Sequence, residues 1–155
     1  MIIKHVWSIL CKESVINQDD NVMSLLGVLE AINSQLTPIN PTKEKPEKII
    51  IPFNFELTSY WIKEDEGEAK LDIKVEIIDP QGKQLGEIVN NNVIPQNNPR
   101  FRTRLKIQGL PVTSNGRYYF VVSSKDNSSS KYSKHAEIPL DVTLKITEPN
   151  QKINQ

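Results

Sequence analysis

The stretch Ala69–Ile78, AKLDIKVEII, alternates apolar residues with charged ones along most of its length. Successive side chains of a β-strand point to opposite faces, so this alternation predicts a strand with one buried and one solvated face. Its apolar set is Leu71, Ile73, Val75 and Ile77. The next five residues, DPQGK at Asp79–Lys83, contain the proline and glycine of a tight turn. The segment therefore predicts a strand followed by a reversal of the chain.

The same residue usage continues on both sides of this strand. Further strands are predicted at Ile3–Lys12, Ile49–Lys63 (as one long strand or two short ones), Leu85–Val93, Arg100–Ile107, Arg117–Ser124 and Ile138–Ile146. The segment Val22–Ile32 fits both a helix and a strand. Gly27 would cost a helix about 1 kcal/mol relative to alanine, and with strands predicted on both sides we favour a strand.

Polar stretches separate the predicted strands. Asn33–Lys48 and Lys125–His135 are predicted to be long loops, and Glu148–Gln155 a flexible tail. A chain of 155 residues is long enough for one domain with its own core. We therefore expect an all-β protein, with a single antiparallel β-sandwich of seven to nine strands over residues 1–147.

Composition excludes several classes of protein. The 19 basic and 19 acidic side chains sum to a net charge of zero, which argues against a general nucleic-acid binder. One cysteine excludes an internal disulfide and a thiolate zinc site, and two histidines, far apart in the sequence at His5 and His135, offer little for a metal or catalytic centre. No apolar run approaches the roughly 20 residues that span a bilayer, and the N-terminus has no secretory pattern. We expect a cytoplasmic protein without a cofactor or a membrane partner.

The segment Leu105–Phe120, LKIQGLPVTSNGRYYF, resembles the corner between strands E and F of immunoglobulin-like sandwiches. The residues that carry the resemblance are Leu105, Ile107, Leu110, Gly116, Tyr118 and Phe120. It implies a tyrosine corner, in which the Tyr118 hydroxyl bonds back to the backbone near Ser114. It also implies immunoglobulin-like connectivity, with Phe120 where antibody domains carry a disulfide cysteine.

A second resemblance covers most of the chain. Trp7–Glu13, WSILCKE, and Asn21–Glu30, NVMSLLGVLE, together with the turn at Asp79–Lys83, resemble the corresponding parts of a family of small bacterial domains of unknown function. The resemblance implies a bacterial β-sandwich. It implies no activity and no site residues.

A basic ladder is the sharpest local feature of the sequence. It consists of Arg100, Arg102, Arg104 and Lys106. These side chains share one strand face, at a spacing of about 6–7 Å. Because arginine makes bidentate contacts with carboxylates and phosphates, the ladder is a candidate docking surface for an acidic partner. The alternative, which we favour, is a solvated face whose arginines pair with carboxylates of neighbouring strands such as Glu56, Asp72 or Glu87.

Two further features are candidates for recognition. Tyr60 and Trp61 are adjacent in a predicted strand, so one of them must face outward, where an aromatic ring can anchor a partner. The loops Asn33–Lys48 and Lys125–His135 would fall at the same end of an immunoglobulin-like sandwich. That end is the first candidate recognition surface, and the basic ladder is the second.

Candidates for chemistry are weaker. Cys11 lies in a predicted core strand and is expected to be an inert buried thiol. A calcium site would need the loop carboxylates to converge, and the alternative of a solvated hairpin tip is favoured. The carboxylates concerned are Asp65, Glu66, Asp79 and Asp126. No catalytic, cofactor or metal residue is predicted.

These expectations combine into a non-enzymatic binding or assembly module of a bacterial cytoplasm. Its expected partner is another protein, and its oligomeric state is open. The alternative is a β-sandwich that binds a carbohydrate or acts through Ca²⁺, and an enzyme is the third choice.

Overall fold

The computed structural model describes residues 3–37 and 47–147. All helical or strand structure in these two ranges is β-strand, as expected from the sequence. The nine strands are β1 (Ile3–Ile16), β2 (Met23–Val28), β3 (Ala31–Leu36), β4 (Ile49–Lys63), β5 (Ala69–Ile78), β6 (Gln84–Ile94), β7 (Arg100–Val112), β8 (Gly116–Asp126) and β9 (Ser133–Ile146). The predicted tail, and residues 38–46 of the first predicted loop, lie outside the described residues.

The ambiguous segment Val22–Ile32 contains one whole strand and the start of another. β2 ends at Val28 and β3 begins at Ala31, so the helix alternative is wrong and the strand interpretation is correct in kind. Gly27 has a φ of 61°, which is outside the helical range and favours glycine. The first residues of the predicted loop, Asn33–Leu36, belong to β3 instead.

The strands form two sheets, with the orders β2-β1-β4-β7 and β3-β9-β8-β5-β6. Every pairing is antiparallel except that of β3 with β9, so the expectation of purely antiparallel sheets is wrong at this pair. The chain changes sheets at Leu29 and Glu30. There the Leu29 N–H donates to the Leu10 carbonyl at 2.8 Å, and the Asp141 N–H donates to the Glu30 carbonyl at 3.0 Å.

A shared hydrophobic core lies between the two sheets. The first sheet contributes Phe55 and Leu57, and the second contributes Val75 and Phe120, all of them fully buried. The rings of Phe55 and Phe120 meet edge to face, with centroids 5.7 Å apart. Burial of each such side chain contributes about 1.5–3 kcal/mol, so this layer is the main source of stability.

The described ends of the two long predicted loops join the second sheet at opposite ends of β9. The Asn33–Lys48 segment leaves the sheet after Leu36, which is paired with Ile146 at the end of β9. The Lys125–His135 segment enters β9 at the other end, at Ser133. These two ends of one strand are about 40 Å apart. The positions of the described loop ends therefore give no support to a shared recognition surface made of both loops.

The tyrosine corner has the predicted hydrogen bond. The buried Tyr118 hydroxyl donates to the Ser114 carbonyl at 2.7 Å, and it accepts the N–H groups of Thr113 at 3.0 Å and of Ser114 at 3.2 Å. One hydroxyl thus satisfies three backbone groups of the connection between β7 and β8, which fixes the point where the chain crosses from one sheet to the other.

A buried lysine fixes the opposite end of the core. Lys63, at the end of β4, is only 3% exposed. Its ammonium group donates to the carbonyl oxygens of Gly67, Pro95 at 2.9 Å and Gln96 at 3.0 Å. Because an ammonium group has three N–H donors, these three bonds satisfy it completely. Lys63 therefore ties the connection between β4 and β5, which crosses from one sheet to the other, to the connection between β6 and β7.

We predict that Tyr118→Phe lowers the free energy of unfolding by about 1–3 kcal/mol, because two backbone N–H groups and one carbonyl lose their partner. Urea denaturation followed by circular dichroism measures the change. The control is Tyr119→Phe, which alters a tyrosine that is 36% exposed on the neighbouring position and should change stability by less than about 0.5 kcal/mol. Equal effects of the two substitutions would contradict the corner's role.

We predict that Lys63→Met also destabilises the protein, by about 2–4 kcal/mol, because it leaves three carbonyl oxygens without their charged donor. Lys70→Met on the exposed face of β5 is the matched control and should have little effect. Thermal unfolding of both variants and the wild type tests this. An unchanged Lys63→Met protein would show that water replaces the ammonium group at no cost.

Candidate functional site

The candidate site is a pocket of about 390 Å³ on the face of the first sheet that points away from the core. The β1–β2 hairpin forms one wall, and β4 and β7 form the other. The lining residues are Trp7, Asn21, Val22, Met23, Tyr60, Arg100 and Arg102. We call this the arginine–aromatic pocket. It brings together three of the residues singled out in the sequence, namely Tyr60, Arg100 and Arg102.

A β-bulge at Val6 points the Trp7 ring into the pocket. His5 is opposite Trp61 and Trp7 is opposite Tyr60, so three residues of β1 span two of β4. The extra residue turns His5 toward the core and Trp7 away from it, although residues two apart share a face in a regular strand. The Trp7 and Tyr60 rings then lie 5.8 Å apart between centroids, at 38°.

A three-residue junction holds the hairpin over the sheet. The Ser14 N–H donates to the Glu56 carboxylate at 3.1 Å, and the Ser14 hydroxyl donates to the same oxygen. The Ser14 carbonyl accepts from Arg104 Nη1 at 3.1 Å. Ser14 and Glu56 are both buried, so these bonds are shielded from water. The junction bends the end of β1 across the outer face of β4 and β7.

Arg102 connects the tip of the hairpin to the sheet. Its Nη1 donates to the Asn21 carbonyl at 3.0 Å, and its Nη2 donates to the Asn21 side-chain oxygen at 2.6 Å. Asn21 has a φ of 57°, a conformation that asparagine tolerates better than most residues. Arg100, two positions earlier on the same face, is exposed, and its guanidinium group has no hydrogen-bond or ion-pair partner among the described residues. The pocket thus combines one anchored guanidinium group and one that is free to bind a ligand.

The structure changes the interpretation of the rest of the basic ladder. Arg102 and Arg104 do have partners inside the chain, but these are Asn21 and Ser14, so the favoured pairing with carboxylates is wrong for both. Of the three proposed carboxylates, Glu56 binds Ser14, Asp72 lies 3.5 Å from Lys125, and Glu87 accepts from Gln84. Lys106 is exposed beyond the junction and outside the pocket.

Tyr60 and Trp61 face opposite sides, as adjacent strand residues must. Tyr60 is partly buried on the pocket wall. Trp61 is fully buried, and its indole N–H donates to Thr103 at 3.2 Å. Trp61 therefore belongs to the core, and its place in a candidate recognition surface is wrong.

The two histidines, which the sequence separates by 130 positions, are neighbours in space. The imidazole rings of His5 and His135 stack with centroids 5.6 Å apart, and both contact the edge or face of Trp61. Sequence reasoning missed this pair because no local spacing relates β1 to β9. Only the packing of one sheet on the other brings them together.

Cys11 is buried as expected and takes no part in the histidine cluster. Its thiol is fully buried and lies 3.9 Å from the Thr58 hydroxyl. Burial raises the pKa of the Cys11 thiol. His5 is six residues away along β1, a distance of about 20 Å. A Cys–His nucleophilic pair is therefore excluded.

The carboxylates proposed for a calcium site do not converge. Asp126 is paired with Leu71 at the start of β5, whereas Asp79 follows the end of β5, so these two carboxylates are a whole strand apart.

Asp79 is occupied by hydrogen bonds within its own turn. Burial alone would raise the pKa of Asp79, but hydrogen bonds from the Lys83 N–H, the Thr113 hydroxyl and the Gln81 N–H keep this pKa below its ordinary value. Within residues 3–37 and 47–147, no three histidine, cysteine or acidic side chains are placed to hold one metal ion.

Comparisons with known proteins give no family assignment. No family model matches the chain, and neither does any curated protein. Solved structures with partial similarity include the Pseudomonas fluorescens alkylpurine DNA glycosylase AlkC bound to DNA with an abasic-site analogue (TM-score 0.43, 12% identity, 73% of this chain and 27% of the glycosylase). A second is the structural-genomics target SoR45, with a TM-score of 0.37 and 19% identity over 61% of this chain and 81% of the target. A third is a β-glucuronidase of glycoside hydrolase family 2, with a TM-score of 0.39 and 18% identity over 61% of this chain and 11% of the enzyme. Similarity of this degree assigns no function. The described ranges also contain no helix that could cross a membrane.

We predict that the Cys11 thiol of the native protein reacts with a disulfide reagent such as dithionitrobenzoate at least about 100-fold more slowly than that of the urea-unfolded protein. Both burial and the raised pKa suppress the reactive thiolate. Absorbance of the released thiolate measures both rates, and the unfolded chain is the internal control. Equal rates would mean that the β1–β2 hairpin does not cover β4.

Proposed function

We propose that the protein is a non-enzymatic binding module that holds an acidic segment of another protein in the arginine–aromatic pocket. The observation that carries the proposal is the placement of the free Arg100 guanidinium group beside anchored Arg102 and the Trp7–Tyr60 ring pair. We further propose a location in a reducing cytoplasm, which a single buried thiol supports.

An immunoglobulin-like architecture is part of this proposal. Three strands of the first sheet, β1-β4-β7, have the order A-B-E, and four strands of the second, β9-β8-β5-β6, have the order G-F-C-C′ of immunoglobulin sandwiches. The Tyr118 hydrogen bond supports the same connectivity at the E–F corner. The curl of the first sheet and the β3–β9 pair depart from a simple sandwich. Domains of this kind serve many functions, so the ligand is argued from the pocket alone.

The chemistry of the pocket favours a carboxylate carried beside an apolar or flat group. A guanidinium group binds carboxylates through two parallel hydrogen bonds, and Arg100 has no competing partner among the residues described. The rings of Trp7 and Tyr60, with Met23 opposite, supply apolar contact area next to that charge. An acidic peptide with an aromatic or aliphatic residue provides both features.

The same lining favours binding over catalysis. Arginine stays protonated at every physiological pH, so it stabilises negative charge but cannot act as a general base. Trp7, Val22 and Met23 add contact area and no nucleophile, and the Tyr60 phenol has no base among the other lining residues to activate it.

Binding of a carbohydrate is the second candidate, and the Trp7–Tyr60 pair is the observation that favours it. Sugar rings stack on exposed aromatic faces, and an acidic sugar would also use Arg100. The calcium-dependent form of this alternative lacks support from the carboxylates of the described residues.

We predict that an acidic peptide of about ten residues with one central phenylalanine binds the protein, and that Arg100→Gln weakens the binding about 5–10-fold, equivalent to about 1–1.4 kcal/mol. Isothermal titration calorimetry at low and high salt measures both quantities. Binding should weaken with salt because the contact is exposed. Tyr60→Ala should weaken it by a similar factor.

Three controls separate the alternatives. Lys70→Gln removes an exposed charge on β5, outside the pocket, and should leave the affinity unchanged. The peptide with every glutamate replaced by glutamine should not bind. A polygalacturonate oligosaccharide tests the second candidate. The absence of binding to the acidic peptide, or equal losses in Arg100→Gln and Lys70→Gln, would overturn the proposal.

A further inference from the structure

The His5–His135 pair joins the two sheets at an open edge. His5 belongs to β1 of the first sheet, and His135 belongs to β9 of the second. Their rings stack 5.6 Å apart and are inclined by 26°, with the fully buried Trp61 against both of them. β1 and β9 are not hydrogen-bonded neighbours, so side-chain packing holds the seam closed at the histidine end, while the backbone bonds of Leu29 and Glu30 join the two strands further along.

Each imidazole has a hydroxyl partner on its own sheet. His5 Nε2 lies 2.7 Å from the Ser8 hydroxyl, which in turn lies 2.6 Å from the Ser59 hydroxyl. His135 Nε2 lies 2.7 Å from the Ser124 hydroxyl. A hydroxyl can donate to a neutral ring nitrogen or accept from a protonated one. The serines therefore tolerate both charge states and do not compensate a second positive charge.

The charged groups around the pair offer it no counter-ion among the described residues. On β4, the ammonium group of Lys63 is held by three carbonyls, and on β8 the Asp126 carboxylate accepts from the N–H and hydroxyl of Ser128. The remaining charged groups nearby are Lys4 on β1, paired with Glu64; Lys125 on β8, paired with Asp72; Lys131 before β9; and Lys134 on β9, paired with Glu137. Within the described part of the chain, neither ring therefore has a carboxylate partner that would stabilise its protonated form.

We propose that the His5–His135 pair is an acid-sensitive latch between the two sheets: the neutral rings close the seam between β1 and β9, and protonation of the pair opens it. Two stacked imidazolium ions would repel each other at a distance where two neutral rings attract. Separation of β1 from β9 relieves this repulsion and lets water reach both charges. The latch is independent of the function proposed for the arginine–aromatic pocket.

The direction of the pH effect follows from the environment of each ring. Burial, and then the charge of His135, lower the pKa of His5, while a hydrogen bond with the Trp7 backbone opposes them. Burial lowers the pKa of His135. A histidine with a lowered folded-state pKa stabilises the fold fully above its ordinary value of 6.5, and this contribution is lost as the pH falls below that value. Hydrogen bonds hold the pKa values of Asp79, Asp126 and Asp141 below the ordinary 3.8, so these three carboxylates do not titrate in the same window.

The test measures thermal unfolding between about pH 7.5 and pH 5, with Trp61 fluorescence in a Trp7→Phe background as a local probe. Trp61 contacts both rings and is the only tryptophan left in that variant. We expect the melting temperature of the parent protein to fall by roughly 3–6 °C across this range. The Trp61 emission should change with a midpoint below 6.5.

The matched variant is His5→Gln/His135→Gln, which keeps a hydrogen-bonding group at each position and removes the titration. Its melting temperature should be nearly constant over the same range, and a slope equal to that of the parent would overturn the latch. His135→Gln alone should move the fluorescence midpoint toward 6.5. If the double variant does not fold, the imidazole proton resonances of the parent decide: midpoints below 6.5 for both rings support the latch, and an ordinary value for both overturns it.

Discussion

The bond from Ser14 to Glu56 is the interaction on which the candidate site depends. A carboxylate on the outer face of a sheet would normally be solvated, yet Glu56 is buried because the hairpin closes over it. Two donors from Ser14, a backbone N–H and a hydroxyl, satisfy one carboxylate oxygen, while Arg104 satisfies the Ser14 carbonyl. Buried polar groups contribute to stability only when they are paired in this way. Without this junction, the hydrogen bonds from Arg102 to Asn21 would be the remaining polar contacts that hold the hairpin over the sheet among the described residues.

The bulge at Val6 lets β1 contact the core on one face and the pocket on the other. On one side of it, His5 packs against the core tryptophan and the histidine of the second sheet. On the other side, Trp7 packs against Tyr60 in the pocket. A regular strand would send both side chains to the same face, so one of these two contacts would be lost. A single extra residue therefore separates the seam between the sheets from the surface that is free to bind a ligand.

Local sequence patterns predicted those elements whose side chains alternate cleanly. The bounds of β5 match the prediction residue for residue, and β4 is one strand over Ile49–Lys63. The tyrosine corner was implied by the resemblance of Leu105–Phe120 to an immunoglobulin-like corner, and the Tyr118 hydroxyl makes the expected bond to Ser114. The structure of the segment after Asn21 was harder to predict, because β2 and β3 belong to different sheets. The break between these two strands is set by the sheet topology, and the local sequence pattern does not show it. The two long loops were expected at one end because an immunoglobulin-like strand order was assumed for the whole chain.

The sequence by itself determined the all-β class, the buried thiol, the outward turn of one of two adjacent aromatics and the shared face of the arginines. These follow from local rules, namely the two-residue period of a strand and the preference of apolar side chains for the interior. The tertiary structure alone decided that Arg102 and Arg104 bind neutral oxygens of a distant hairpin, that Trp61 and not Tyr60 is the core aromatic, and that His5 meets His135. Each of these depends on the register of strands that are far apart in the chain, and no local pattern encodes that register. The curl of one sheet and the packing of two sheets set it instead.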